Sequence, residues 1–159
     1  MPKPVSEIDS LASFSGPAGW RMEDDAILGD PLVSFSSGPY VVRVCLFGGK
    51  DSRHETPADF LSDPEARGDK GEPPLKLGIA RVNGRRTPAY GRTYKVSMGD
   101  PHARAMASEE TIRDEFVIVL AGKRFFVLTF KTAMGPAYEP DKRGTTAWAG
   151  FLKSFKLKK

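Results

Sequence analysis

The chain has 159 residues, of which 40% are hydrophobic and 28% charged, and its formal net charge is +4. This composition is typical of one globular domain and excludes a disordered, collagenous or fibrous chain. One cysteine, Cys45, excludes an internal disulfide framework and a multi-thiolate metal site. Two histidines leave little material for a zinc or iron centre, so we expect neither a metal nor another cofactor.

The chain also lacks the usual signals for export or membrane insertion. No stretch approaches the ~18 apolar residues that cross a bilayer. The first residues include Glu7 and Asp9, and they lack the long apolar region of a secretory signal. The sequence therefore predicts a cytoplasmic protein without a membrane span.

The net charge is divided unevenly along the chain. Residues 1–69 contain 12 acidic and 6 basic side chains, whereas residues 70–159 contain 8 acidic and 18 basic ones. The two halves can neutralise each other within one domain, or the basic half can face an acidic partner. The simplest interpretation is that most of these charges are solvated.

The N-terminal residues 1–15 are predicted to form a lead-in, ahead of a single domain at residues 16–159. Apolar residues recur at three-residue spacing in the lead-in, which permits a short helix that ends before Gly16-Pro17. The stretches 32–36 and 40–47 are rich in β-branched and aromatic residues and predict a hairpin. Thr56 followed by Pro57 and Asp59 has the pattern of a helix start.

A second hairpin is predicted around Asn83-Gly84. Both residues tolerate the positive φ of a type I′ turn, and the flanking stretches 77–82 and 87–97 read as strands. Residues 98–107 are predicted to form a loop. Near the C-terminus, Trp148, Phe151 and Leu152 form an apolar stripe at helical spacing within 145–155, and 154–157 alternates like a closing strand.

The longest β-signal is the pair of stretches 115–120 and 124–130. Each is apolar at nearly every position, whereas a strand buried on one face alternates. The three-residue connection requires antiparallel pairing. The sequence therefore predicts an α+β fold, in which an antiparallel β-sheet is flanked by helices on both faces as an α-β-α sandwich.

The order of these motifs resembles the PsbP-like superfamily. The matching features are the Gly16-Pro17 entry with Trp20, the Asn83-Gly84 hairpin, the strand ending in Leu128-Thr129-Phe130 and the segment Ser154-Phe155-Lys156. This superfamily includes the extrinsic photosystem II subunit, the Ran-binding nuclear import factor and small bacterial proteins of unknown function. The resemblance implies an α-β-α fold and a role in binding proteins rather than in catalysis. It assigns no site residues to this chain.

The sequence gives only weak evidence for catalytic or metal-binding groups. Cys45 could act as a nucleophile with His54 or His102, but it lies mid-strand, where a buried and inert thiol is expected. The two histidines lie in predicted loops and are expected to be exposed. The acidic run 23–25 lacks the ligand spacing of a calcium loop, and 48–52 lacks the glycine pattern of a phosphate loop.

The strongest interaction feature is a basic stretch without an acidic interruption. The candidate partner-binding residues are Arg81, Arg85, Arg86, Arg92 and Lys95. Tyr90 and Tyr94 interleave with these cations, as in proteins that stack on nucleic acid bases. On a strand, however, the two tyrosines share one face with Arg92 and are buried if that face is covered.

We therefore expect a non-enzymatic protein-binding or adaptor protein of the PsbP-like superfamily. One alternative, from a bacterial branch of the superfamily, is a cytoplasmic chaperone for a type VI secretion effector. The other is a nucleic-acid-binding protein that uses the basic turn around Arg85. A protein partner is expected, a homodimer is an open option, and nucleic acid is disfavoured.

Overall fold

The computed structural model of the chain describes residues 4–27, 29–68, 70–98, 108–134 and 142–158. Within these ranges the chain forms three α-helices: α1 (Pro4–Leu11), α2 (Pro57–Ser62) and α3 (Lys142–Ser154). A single 3-10 turn follows α2 at Pro64–Ala66. The strands are β1 (Ala12–Ser13), β2 (Arg21–Ile27), β3 (Asp30–Ser37), β4 (Tyr40–Phe47), β5 (Leu75–Val82), β6 (Arg85–Met98), β7 (Ser108–Ala121), β8 (Arg124–Met134) and β9 (Lys156–Leu157).

Seven of these strands form one antiparallel sheet in the order β2-β3-β4-β8-β7-β6-β5. Each of its six pairings is antiparallel, so the two terminal strands, β2 and β5, run in the same direction. The short strands β1 and β9 pair separately, through Ala12 with Leu157 and Ser13 with Lys156. That small sheet joins the N-terminal segment to the C-terminal one.

The centre of the sheet is β8, which is buried on both faces as its sequence predicts. All residues of 125–130 are buried, and their side chains alternate between two hydrophobic clusters. Phe126, Leu128 and Phe130 belong to the larger cluster, which defines the first face. Phe125 and Val127 belong to the smaller cluster on the second face.

The predicted α-β-α sandwich is wrong. The 8-residue α1 and the 13-residue α3 contribute Ile8, Trp148, Phe151 and Leu152 to the first face. Among the described residues, the second face is covered by the 6-residue α2, the 3-10 turn and their loops. The protein is therefore mostly antiparallel sheet with short helices. An apolar run indicates that a strand is buried, but it does not specify which helices or loops cover the strand.

The cover of the second face is built largely from phenylalanine rings. Phe60 of α2 stacks on Phe47 of β4 at 5.7 Å and meets Phe116 of β7 edge-on at 5.4 Å. Tyr90 of β6 stacks on Phe116 at 5.5 Å. One short helix suffices on this face because these rings fill the space between it and the sheet.

Several local predictions agree with the structure, but the structure contains one edge strand that the sequence does not predict. All three predicted hairpins form, and α2 begins at Pro57 with Thr56 as its cap. Strand β2 was not predicted, because its acidic run 23–25 does not have the composition of a strand. The predicted loop at 98–107 lies almost entirely outside the described residues.

Candidate functional site

One end of the sheet exposes an apolar strand edge. Strand β5 is the terminal strand and pairs only with β6 among the described residues. Its side chains are unusually exposed for apolar residues: Leu75 by 68%, Leu77 by 39% and Ile79 by 56%. Because such an edge offers unpaired backbone groups beside apolar side chains, it is suited to pairing with another strand.

The hairpin that ends β5 carries three of the predicted partner-binding residues. Asn83 and Gly84 have φ values of 54° and 72°, as a two-residue type I′ turn requires. This tight turn places Arg81 directly opposite Arg86, while Arg85 lies opposite Val82. All three arginines are exposed. Like charges directly opposite each other on two strands are destabilising, so the Arg81–Arg86 pair favours a bound acid.

Arg92 is the exception among the five predicted residues, because it is an internal residue. Its Nε donates to Oδ2 of Asp114 at 2.9 Å, and its side chain is only 11% exposed. Its Nη1 donates to the carbonyl oxygens of Pro64 and Arg67 at 2.9 and 3.1 Å. Arg92 therefore joins the 3-10 turn to the sheet. Of the predicted partner-binding arginines, Arg81, Arg85 and Arg86 remain on the surface. Lys95 lies farther along β6 and is exposed.

The two tyrosines of the basic stretch are engaged within the protein. Tyr90 stacks on Phe116, and the Arg92 guanidinium lies 4.2 Å from the ring centre of Tyr94. The hydroxyl of Tyr94 also accepts a hydrogen bond from Lys131 at 2.9 Å. Ring faces that are already in contact are poor platforms for stacking bases, which weakens the nucleic-acid alternative.

A groove of about 610 Å³ lies beside the same hairpin, between its turn and α3. It is lined by Ala80, Arg81, Asn83, Gly84, Glu115, Trp148, Ala149, Leu152, Lys153 and Lys156. Burial raises the pKa of Glu115, and the nearby Arg113 only partly opposes this shift. The sequence does not single out Glu115 as a functional residue. Glu115 is the first residue of an apolar run, and its burial depends on how the chain folds.

The candidate nucleophile is enclosed in the core. Cys45 is buried in β4, as predicted, and belongs to the second-face cluster. The prediction that His54 is exposed is wrong, because His54 is 3% exposed and contacts the rings of Phe47 and Phe60. Aromatic neighbours that the sequence cannot place close this loop over the histidine. His102 lies outside the described residues.

A compact polar cluster holds the loop that follows β4. Asp30 accepts hydrogen bonds from the Ser52 hydroxyl at 2.8 Å and from Nε of Arg53 at 3.1 Å. It also accepts one from the Arg53 backbone amide at 3.2 Å. Asp30 is 4% exposed, so these bonds satisfy a buried carboxylate and fix the loop.

Two further properties concern the described residues as a whole. They include no group of three or more His, Cys, Asp or Glu residues placed to hold a metal ion. None of their helices has the length and apolar character needed to cross a membrane.

Comparisons with known proteins give only distant likenesses. No protein-family profile matches the chain, and no curated protein matches it. A crystal structure from Bacteroides thetaiotaomicron is similar, with a TM-score of 0.49 and 11% identity. The match covers 93% of this chain and 45% of that protein. The chain thus spans less than half the length of that protein.

The second similar structure is LpqN of Mycobacterium tuberculosis, a protein involved in cell envelope biogenesis. Its TM-score is 0.41 at 13% identity, and the match covers 93% of this chain and 83% of LpqN. At these TM-scores the two likenesses carry no argument about family or function.

Proposed function

We propose that this chain is a non-enzymatic protein-binding module whose β5 edge takes up an extended, acidic segment of another polypeptide. The observation that carries the proposal is the exposure of apolar side chains along β5, on the same strand as Arg81 and next to the start of β6, which carries Arg85 and Arg86. The recognition would be strand addition, in which backbone hydrogen bonds supply affinity and side chains supply specificity.

The apolar part of the edge provides the driving force for docking. Leu75, Leu77 and Ile79 are each more than a third exposed. Burying apolar surface stabilises a complex by about 25 cal/mol per Å² before the costs of association. Leu77 lies over Gly91 of β6, where a Cβ atom would be only 2.7 Å from Cδ1 of Leu77. The glycine therefore leaves space that Leu77 occupies.

The arginines select the charge of the partner. Arg81 and Arg86 are directly opposite each other across the hairpin, and Arg85 follows the turn. An acidic side chain on the added strand relieves the repulsion between the two opposed guanidinium groups. It also speeds encounter at low salt through long-range attraction. An acidic segment is thus preferred over a basic or neutral one.

The bulge in β5 limits where the added strand can pair regularly. The pairing of β5 with β6 shifts between Lys76 and Gly78, and Gly78 has a φ of 121°. A bulge twists a strand and discourages edge-to-edge pairing at that point. Regular strand addition is therefore expected along 79–82, which includes Ile79 and Arg81.

A synthetic peptide of about six residues, alternating apolar and acidic side chains, tests this function. We expect heteronuclear NMR titration to shift the amide signals of β5 and the hairpin, with weaker binding as salt rises. The double variant R81E/R85E should lower the affinity at least about tenfold, since like charges then face the peptide. The double variant K50E/K123E is the matched control, because it changes the net charge equally at two other exposed turns.

A peptide with the same side chains but alternate backbone nitrogens methylated separates strand addition from simple charge attraction. It keeps every charge and loses the backbone donors along one edge. Because an added strand pairs through only one of its edges, strand addition predicts that binding fails for one of the two alternate methylation patterns. Equal binding of the unmethylated peptide and of both methylated patterns, or shifts confined to elements other than β5, would contradict the proposal.

Membership of the PsbP-like superfamily stays a prediction that rests on the sequence motifs. The same holds for the narrower role as a chaperone of a type VI secretion effector. The proposal of strand addition depends on neither, because it is argued from the exposed edge and its charges.

A further inference from the structure

The opposite end of the sheet carries the complementary charge. Strand β2 is the other terminal strand of the seven, and Glu23 and Asp24 on it are exposed. Met22 is 53% exposed, so this edge also combines acidic and apolar side chains. The sheet thus has an acidic edge at β2 and a basic edge at β5. These edges belong to the acidic first half and the basic second half of the chain.

We infer that the β5 edge of one copy of this chain pairs with the β2 edge of a second copy, so that the protein associates head to tail. The inference rests on the proposed function, since it names the acidic strand that β5 takes up. Because β2 and β5 run in the same direction, a copy added in the same orientation continues the sheet through a parallel pairing.

The charges of the two edges match on both faces of such a sheet. Asp24 is opposite the core residue Val33, so it lies on the first face. Arg85 is opposite the core residue Val82 and lies on the same face. Because neighbouring residues of a strand alternate, Glu23 and Arg81 both lie on the second face. In the extended sheet, Glu23 therefore shares a face with Arg81 of the neighbouring β5, and Asp24 shares a face with Arg85, one strand further in on β6.

A symmetric pairing of two identical edges lacks this match. In a symmetric antiparallel pairing through 79–82, two β5 edges would bring Arg81, Arg85 and Arg86 of both copies together, and two β2 edges paired through 23–25 would bring the acids together. Like-charge juxtaposition across an interface is strongly unfavourable. The head-to-tail contact uses two different surfaces, so it does not close at a dimer and gives larger assemblies or rings.

The ion pair within the acidic edge does not prevent Glu23 from pairing with a second copy. Arg21 contacts Glu23 at 2.9 Å, but the two side chains are 78% and 59% exposed. A surface pair of this kind contributes little. Glu23 can therefore exchange Arg21 for a guanidinium of the second copy.

Sedimentation velocity over a range of concentrations tests the association. We expect the average mass to rise past that of a dimer at low salt and to fall as salt is added. The variants E23K/D24K and R81E/R85E should each lower the association at least about tenfold. D51K/E55K and K50E/K123E are their charge-matched controls at exposed positions outside β2, β5 and the Asn83-Gly84 hairpin, and they should associate like the wild type.

The decisive variant combines E23K/D24K with R81E/R85E in one chain. It exchanges the signs of the two edges and so should recover the association that each double variant loses. Failure of this recovery, association that stops at a dimer, or a monomer at every concentration would overturn the inference. A monomer that still binds the acidic peptide through Arg81 and Arg85 leaves the proposed function standing, whereas loss of both removes the two together.

Discussion

Arg92 and Asp114 form a buried ion pair between β6 and β7, with 2.9 Å between Nε and Oδ2. Asp114 is 2% exposed and also accepts hydrogen bonds from Nζ of Lys131 at 3.1 and 3.2 Å. Arg92, Asp114 and Lys131 lie in one row across three neighbouring strands. This row places two cations around one carboxylate, which makes the carboxylate the critical member.

The substitution D114N should strongly destabilise the fold. It leaves Arg92 and Lys131 with no charged partner in a buried position, and breaking a buried pair in this way typically costs about 3–5 kcal/mol. Urea unfolding followed by circular dichroism measures the change. E23Q is the control, because it removes an acid from an exposed pair and should alter stability little. If D114N unfolds at the same urea concentration as E23Q, the row is not a stabilising element.

Two glycines of α3 should respond oppositely to alanine. A Cβ atom at Gly144 would lie 2.4 Å from Cε1 of Tyr40, whose ring is held between Trp20 and Phe130. A Cβ atom at Gly150 meets nothing within 4 Å. We expect G150A to stabilise the protein by up to about 1 kcal/mol through helix propensity. G144A should destabilise it by about 1–3 kcal/mol because the helix must shift.

Thermal unfolding of both variants, compared with the wild type, gives the two signs directly. Equal stabilisation by G144A and G150A would show that α3 can move away from Tyr40 without cost. Destabilisation by both would show instead that Gly150 is also restricted.

The sequence predicts local structure well where the chemistry of a few adjacent residues decides it. Asn83-Gly84 forms the turn that its tolerance of positive φ predicts. Thr56 accepts a hydrogen bond from the Asp59 amide, and Asp59 accepts one from the Thr56 amide, so α2 begins where expected. The apolar stripe of α3 is buried on the first face.

Features that depend on distant pairing could not be predicted in the same way. Arg92 meets Asp114 across a pairing of residues 22 apart in sequence, and the sequence alone does not distinguish it from the surface arginines. The acidic β2 becomes a strand because β3 offers it a hydrogen-bonding edge, and tertiary pairing overrides its low strand propensity. The cover of each sheet face likewise depends on where Phe60 and its neighbouring rings meet.

The cap of α2 should contribute measurably to stability. T56A removes the side-chain oxygen that accepts from the Asp59 amide at 3.3 Å and should cost about 1 kcal/mol. T56S keeps that oxygen and should retain most of the stability. Because α2 carries Phe60 into the second-face cluster, hydrogen exchange of the α2 amides should rise in T56A. Unchanged exchange in T56A would contradict a role for the cap.

Glu115 should make the protein less stable as the pH rises through the weakly acidic range. Burial raises the pKa of Glu115 in the folded state above the ordinary value of a glutamate, so the folded protein binds this proton more tightly than the unfolded chain. The stability from that proton is complete below pH 4.5 and is lost as the pH rises through the raised pKa.

The variant E115Q isolates this effect, because glutamine has nearly the same shape and no charge to desolvate. At pH values above the raised pKa, where the carboxylate is ionised, we expect E115Q to be more stable than the wild type. The difference should vanish as the pH falls below 4.5. The measurement is the urea midpoint of both proteins at several pH values. E55Q, which makes the same change at an exposed position, is the matched control. A constant gap between E115Q and the wild type at every pH would show that packing, rather than the charge, distinguishes them.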